Sequence, residues 1–279
     1  MLRAVIFDMD DTLIDWSERD SDWMAHSREC LRPIHEHLAS LGNSLPNLED
    51  MTEVYADQAR AAWEAVTTPE WVCPRQIDIL RNTIKAINLD VESFDMEKLQ
   101  RMYGWKTIGG VRPFQDTEMV LKALRDAGLR IGLVTNADLP MWMRDAELDS
   151  FGLTQYIEVR LTAGDVGRLK PHPEPFQKAM SMLDVLPDEA IFVGDRVQDD
   201  VVGARAAGMR AVWIRRSNGG WIDPLDETAS YKPNATIYRL ADLLTTFDIW
   251  YPGWRNRIKT EKLRETTEIA STNAAGSRF

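Results

Sequence analysis

Asp8-Met9-Asp10-Asp11-Thr12, Thr135-Asn136, Lys170-Pro171 and Gly194-Asp195 with Asp200 place carboxylates, a hydroxyl and a lysine at widely separated points of a 279-residue chain. A carboxylate can act as a nucleophile, exchange protons or hold a hard cation, while an ammonium or a hydroxyl can stabilise an anion. Taken singly, an aspartate behind a strand is more often a helix cap. Chemistry therefore requires a fold that gathers these residues at one point.

The surrounding pattern predicts such a fold. Short β-branched runs at Ala4 to Phe7, Ile131 to Val134, Ile157 to Val159, Ile191 to Val193 and Ala211 to Ile214 read as buried parallel strands. Helical spacing from Thr117 to Ala127, Pro175 to Leu183 and Val201 to Ala207 falls between them. Strand and helix in alternation predict a doubly wound α/β sheet, in which ligands bind outside the carboxyl ends of the strands. All four sets of chemically useful residues lie at or just beyond such ends.

One stretch breaks the alternation. From about Trp16 to Tyr103 there is no comparable strand, and helical faces follow one another: Ser27, Leu31, Ile34, Leu38 and Leu41, then Val54 to Val66, Ile77 to Ile87 and Met96 to Met102. The expected organisation is an α/β core of residues 1–15 and 106–250, a helical insertion of residues 16–105, and a partly disordered C-terminal extension of residues 251–279. The connectors near Asp15-Trp16 and from Gly104 to Val111 are hinge candidates, because Gly109-Gly110 can absorb backbone rotation. Arg215 to Pro233 reads as a long surface loop, and Thr236 to Phe247 as a short strand with a closing helix.

Composition narrows the partners. A 44% hydrophobic chain can build its own core, and a net charge of −11 argues against binding a nucleic-acid backbone. No apolar run approaches the roughly 20 residues of a membrane span, and the N-terminus turns acidic too early for a secretory signal. A cytoplasmic monomer or homodimer with structural cysteines, Cys30 and Cys73, is expected.

In their order and spacing, Asp8-x-Asp10-x-Thr12, the strand ending in Thr135, Lys170-Pro171 and Gly194-Asp195 through Asp200 resemble the four motifs of the haloacid dehalogenase (HAD) superfamily. Gly203-Ala204 and Ala207-Gly208-Met209 also stand where that family has its fourth helix. The resemblance implies a Rossmann-like core, and the insertion is similar to the helical cap of the family's first cap subgroup. It further implies a Mg²⁺-dependent phosphomonoester hydrolase in which Asp8 attacks phosphorus and forms an aspartyl-phosphate. Asp10 would then be the general acid and base, on the same side of an extended segment as Asp8. Thr135 and Lys170 would stabilise the phosphoryl group. Asp8, Asp195 and the Asp10 carbonyl would hold Mg²⁺, with Asp200 supporting both metal and Lys170. Backbone amides of Met9, Asp10 and Asn136 would cradle phosphate, and Trp16, Trp23 and Trp71 are candidates to line a substrate cavity.

Several readings stay open at this level. The HAD dehalogenases lack an acid at the position of Asp10, which favours phosphoester chemistry. A phosphomutase or phosphotransferase, or a catalytically idle phosphate-binding or interaction protein, would carry the same scaffold. Asp11 reads as a turn residue, Asp199 as a helix-start carboxylate and His172 as positional, whereas His26, His35 and His37 are expected in solvent or packing. Any of several small phosphorylated metabolites would suit the motifs.

Overall fold

The computed structural model describes residues 1–20, 22–216 and 232–256. Strand β1 (Ala4–Phe7) leads into a short β2 (Ile14–Asp15) and then four helices, α1 (Trp23–Ser40), α2 (Leu48–Glu64), α3 (Gln76–Ala86) and α4 (Met96–Met102). The chain returns through β3 (Arg112–Pro113) and alternates through α5 (Thr117–Asp126), β4 (Arg130–Thr135), α6 (Met141–Ser150), β5 (Val159–Thr162), α7 (Ala163–Val166) and α8 (Pro173–Met182). There follow β6 (Ala190–Gly194), a wide helical turn over Val197–Val202 running into α9 (Gly203–Ala206), β7 (Arg210–Ile214), β8 (Ala235–Ile237) and α10 (Asp242–Trp250).

The main sheet has the order β5-β4-β1-β6-β7-β8 with every pairing parallel, the doubly wound α/β architecture that the alternation predicts. Because β1 lies between β4 and β6, the strand order reverses at β1, and the crevice at its carboxyl end is the natural ligand site. All four residues of β1 are buried, since helices cover both faces. Val5 and Phe7 join the cluster containing Leu121 and Leu124, while Ala4 and Ile6 pack with Phe176 and Leu183. The period of two along the strand thus feeds two separate apolar layers.

Some boundaries differ from the sequence pattern. The third strand starts at Val159 rather than Ile157 and runs to Thr162, whose hydroxyl accepts from the Asp165 amide (3.1 Å) and so ends the strand by starting α7. Leu41 lies beyond the end of α1 and is exposed, so it does not extend that helix's apolar face. Most of the expected loop from Arg215 to Pro233 and nearly all of the C-terminal extension lie outside the described residues. Within the described part, Trp254 is buried edge-on against Phe247.

Helices α1 to α4 surround an apolar cluster of their own that includes Leu31, Ile34, Leu38, Tyr55, Leu80 and Leu99. Leu139 and Met143, from the segment after β4, extend this cluster and dock the insertion on the α/β sheet. Its neck is a two-stranded antiparallel ladder of β2 and β3, pairing Ile14 with Pro113 and Asp15 with Arg112. Two residues per strand, one a proline, carry no readable periodicity, which explains why the sequence pattern does not reveal it. Gly110 adopts φ +81°, and a Cβ there would lie 1.9 Å from the Glu18 carbonyl oxygen. The Asp20 amide also donates to the Gly109 carbonyl at 2.8 Å, so the two connectors are bound to each other. A second tie joins the insertion to the loop before Lys170: the Leu169 amide donates to the Trp71 carbonyl (2.8 Å) and the Cys73 amide to the Gly167 carbonyl (3.2 Å).

Gly110→Ala is expected to cost about 1–3 kcal/mol, because it combines left-handed backbone with a collision against main chain. Urea denaturation measures the loss, and wild-type stability would mean that the neck rearranges freely.

Candidate active site

The first motif folds into a tight turn at the end of β1. The Asp8 amide continues the ladder by donating to the Val193 carbonyl (2.9 Å). The Met9 carbonyl accepts from the amides of Leu13 and Ile14 (2.9 and 3.0 Å), and Asp11 takes a left-handed φ of 58° that an aspartate tolerates. Met9 is fully buried, so Asp8 and Asp10 flank a side chain anchored in the core.

Lys170 closes the site from the opposite side of β1. Its Nζ donates to Asp8 Oδ1 (2.7 Å), Asp200 Oδ1 (2.7 Å) and the Val134 carbonyl (2.9 Å), and the side chain is 2% exposed. Burial alone works against the ammonium, yet Asp200 and Asp8 outweigh it and raise its pKa above the ordinary value. Asn136 positions the lysine's backbone: its Nδ2 donates to the Lys170 carbonyl (3.0 Å) and its Oδ1 accepts from the Lys170 amide (2.8 Å). Asp200 is fixed in turn by the Arg196 amide on Oδ2 (3.0 Å). It approaches so closely that a Cβ on Gly194 would sit 2.2 Å from that oxygen, so the glycine before Asp195 is sterically required.

Asp8, Asp195 and Asp200 bring carboxylate oxygens within 4.8 Å of one another. Only one ammonium lies among them, so the group carries an excess of negative charge. Burial, followed by the charges of Asp8 and Asp200, pushes the Asp195 carboxyl up to about 9. Burial likewise raises Asp8 to about 6, against the opposing pull of Lys170. Asp200 is raised by burial too, although Lys170 offsets part of the effect. Three hard oxygen donors crowded this closely are a fitting set for a divalent cation.

Asp10 faces a different environment. Arg144 Nη2 (2.5 Å) and the Trp16 indole Nε1 (2.8 Å) both donate to its Oδ1, while Thr135 Oγ1 lies 3.3 Å from Oδ2. Arg144 is itself buried on α6, with its Nε 2.6 Å from Glu147 Oε2. That second contact is a close ion pair without a well-aligned hydrogen bond, since neither atom finds one. Glu147 is fully buried, and burial lifts its carboxyl to about 7 despite Arg144. Sequence reading missed both residues, because an Arg and a Glu three apart in a helix look like an ordinary surface ion pair. The mixed apolar spacing around them gives no warning that this helix face points inward.

The structure therefore brings Asp8, Asp10, Thr135, Lys170, Asp195 and Asp200 together, with Asn136 and Trp16 adjoining. All of these except Asp195 and Asp200 line a cleft of two lobes that share Asp10, Asp11, Asn136 and Arg196. One, of about 520 Å³, contains Asp8, Thr135 and Lys170 beside Trp63 and Trp71 of the insertion. The other, of about 730 Å³, runs from Asp10 and Arg144 beneath the insertion. His26, expected in solvent or packing, lines this second lobe, whereas His172 caps α8 by accepting from the Glu174 amide (3.3 Å).

Comparisons with known proteins agree with this architecture. The family model described as haloacid dehalogenase-like hydrolase matches residues 2–208, and the chain belongs to that family. It is 28% identical over 228 residues to a glyceraldehyde 3-phosphate phosphatase of Methanopyrus kandleri, covering 81% of this chain and 90% of that one. Among solved structures it is similar to a HAD phosphatase from Thermococcus onnurineus (26% identity, TM-score 0.52, 88% of this chain and 98% of that). It is also similar to a 2-haloacid dehalogenase from Pseudomonas syringae (26% identity, TM-score 0.58, 90% of this chain and all of that). Among the described residues no helix is long and apolar enough to cross a membrane.

Arg144→Met is expected to destabilise the fold by about 3–5 kcal/mol, because it strands the buried Glu147 carboxylate. Arg144→Met with Glu147→Met should recover most of that loss in the same urea titration. Equal losses in the single and double variants would show that the pair is not the source.

Proposed function

We propose that this chain is a Mg²⁺-dependent phosphomonoester hydrolase that acts on a small phosphorylated metabolite through an aspartyl-phosphate on Asp8. The observation that carries the reading is the buried Lys170 ammonium held between Asp8 and Asp200, with Asp195 completing a carboxylate cluster at the switch point of the sheet. A lone carboxylate repels a phosphate dianion, whereas one set beside a fixed cation in a buried crevice can approach phosphorus. The presence of Asp10 favours an ester over a halide, because an alkoxide leaves only if it is protonated. The phosphatases among the similar proteins support the same choice.

Mg²⁺ fits the donor set of Asp8, Asp195 and the Asp10 carbonyl, with Asp200 behind them. Bound there, it would neutralise the clustered carboxylates and polarise a phosphoryl oxygen. The chain's own groups do the rest. An oxygen of Asp8 attacks phosphorus, the ester P–O bond breaks, and Asp10 delivers a proton to the departing oxygen. Asp10 then takes a proton from water, whose oxygen attacks the phosphorus and frees inorganic phosphate from Asp8. Since Arg144 and Trp16 already occupy Oδ1 of Asp10, Oδ2 is the oxygen that carries this proton. Thr135 donates its hydroxyl to the phosphoryl group, and Lys170 offsets the charge that builds on Asp8. Main-chain amides at Met9, Asp10 and Asn136 complete the cradle, and Trp16 borders the leaving group.

Asp8→Asn is expected to remove at least about 10³ of the Mg²⁺-dependent turnover of p-nitrophenyl phosphate, in line with the loss of a nucleophile, in a protein whose circular dichroism remains that of the folded wild type. Asp10→Asn should instead accumulate acid-stable, hydroxylamine-sensitive phosphoenzyme. Wild-type turnover by Asp8→Asn would remove that residue from the mechanism.

Proton competition supplies a second test. Asp8 and Asp195 are raised to about 6 and about 9 from the usual 3.8, so the folded metal-free protein binds protons that the unfolded chain has released. Its stability should therefore fall as pH rises across that window. Mg²⁺ must displace the same protons, so its affinity should rise from pH 6 to 9. Titration calorimetry in buffers of different ionisation enthalpy measures the protons released, and a pH-independent affinity would contradict the assignment.

A further inference from the structure

The larger lobe of the cleft is built unlike a site for a small polyol or amino-acid phosphate. Asp10 lines both lobes, but Asp8, Thr135 and Lys170 line only the smaller one. If Asp10 protonates the leaving oxygen, the phosphoryl group sits in the smaller lobe and the leaving alcohol extends past Asp10 into the larger. This step rests on the phosphomonoesterase reading given above.

The lobe that receives the alcohol is walled by rings. Trp16 stacks on Trp23 with centroids 6.1 Å apart and planes 13° from parallel. Trp23 meets His26 edge-on (5.9 Å), and His26 meets Trp105 edge-on (5.1 Å), which makes one continuous aromatic wall. Tyr55 and Tyr103, themselves stacked at 5.8 Å, also line the lobe. Trp23 borders the cavity and is 43% exposed. At about 730 Å³ the space far exceeds what a three-carbon alcohol needs and suits a ligand of drug-like size.

The charges in the lobe point the same way. Two of its three arginines face carboxylates, Arg144 between Asp10 and Glu147 and Arg196 3.8 Å from Asp199, while the exposed Arg19 donates to the neutral Trp16 carbonyl (3.2 Å). Burial lowers the pKa of His26, which favours its neutral form. The carboxylates of Asp10, Asp11 and Asp138 border the same cavity, so they match its three arginines and leave no excess of positive charge for a second phosphate or a carboxylate on the substrate.

We infer that this lobe is a subsite for a flat, uncharged ring on the leaving alcohol, so that the preferred substrates are monophosphate esters of ring-bearing alcohols. Nucleoside 5′-monophosphates are the accessible members of this class: the base stacks on the indole wall, and the ribose spans the gap to Asp10. They also share a primary-alcohol leaving group with glyceraldehyde 3-phosphate and phosphoserine. Differences in turnover among them therefore report recognition rather than leaving-group chemistry.

The test compares kcat/KM for adenosine and uridine 5′-monophosphates with the values for glyceraldehyde 3-phosphate, phosphoserine and phosphocholine, all with Mg²⁺. The nucleotides should lead the first two by about tenfold or more, as expected for one base stacked on an aromatic side chain. Trp23→Ala, at the solvent-facing start of α1, should lower the nucleotide to glyceraldehyde 3-phosphate ratio by about tenfold, and Trp23→Phe should restore most of it. A ratio at or below one, or one that Trp23→Ala leaves unmoved, overturns the subsite. Preference for phosphocholine would also overturn it, by assigning the rings to a cation. If p-nitrophenyl phosphate is turned over while the nucleotides are not, only the subsite fails. Loss of turnover on every ester, aryl phosphate included, sinks the hydrolase reading as well.

Discussion

The Lys170 ammonium, buried and bonded to Asp8 and Asp200 at 2.7 Å each, is the interaction on which the crevice depends. An isolated charge in such a place would cost several kcal/mol in lost hydration, so each partner is tolerated only because the others are present. The bonds also span the sheet. Lys170 follows β5 and α7, Asp8 follows β1, Asp200 follows β6, and the Val134 carbonyl belongs to β4. One side chain thus ties together the ends of the central strands, and the strand order that puts β1 between β4 and β6 makes this reach feasible. The balance of charge is nevertheless incomplete. With Asp195 included, three carboxylates share one ammonium, and burial together with the neighbouring charges of Asp8 and Asp200 raises the pKa of Asp195.

A second buried charge group lies a few residues away and has a different role. Arg144 bridges Asp10 and Glu147, and the indole of Trp16 completes the grip on Asp10. The two tryptophans nearest these carboxylates come from the two connectors of the insertion: Trp16 from the first, beside Asp10, and Trp105 from the second, beside Glu147. The neck is further tied by the β2–β3 ladder and by Gly110 lying against Glu18. Backbone bonds from Trp71 and Cys73 hold the insertion against the loop that carries Lys170. The insertion therefore does more than overhang the sheet. Its position is mechanically linked to both ion groups, so a shift of the helices would be felt at Asp10 and near Lys170.

Much of this architecture was legible in the residues. The run Ala4 to Phe7 had to be a doubly covered strand because four successive apolar residues have no polar face to offer water. Asp8, Thr135, Lys170 and Asp195 stood out because each follows a strand or its loop, and a parallel sheet delivers all such ends to one edge. Helices α1, α3 and α4 were readable from their spacing, apart from the exposed Leu41 at the end of α1, whereas α2 runs from Leu48 to Glu64 rather than from Val54 to Val66. Both cysteines are buried free thiols, pushed up to about 11 and about 12 by burial, which agrees with a structural role.

Local periodicity determined these features by itself, since a strand or helix repeats every two or 3.6 residues and writes its buried face into the sequence. Tertiary structure alone decided the rest. That Arg144 and Glu147 turn inward, that Trp16 grips Asp10, that residues 14–15 pair with 112–113, and that six rings from three segments face one cavity are all outcomes of packing between distant elements. Such contacts depend on the angle at which one element meets another, and no repeat along the chain records that angle.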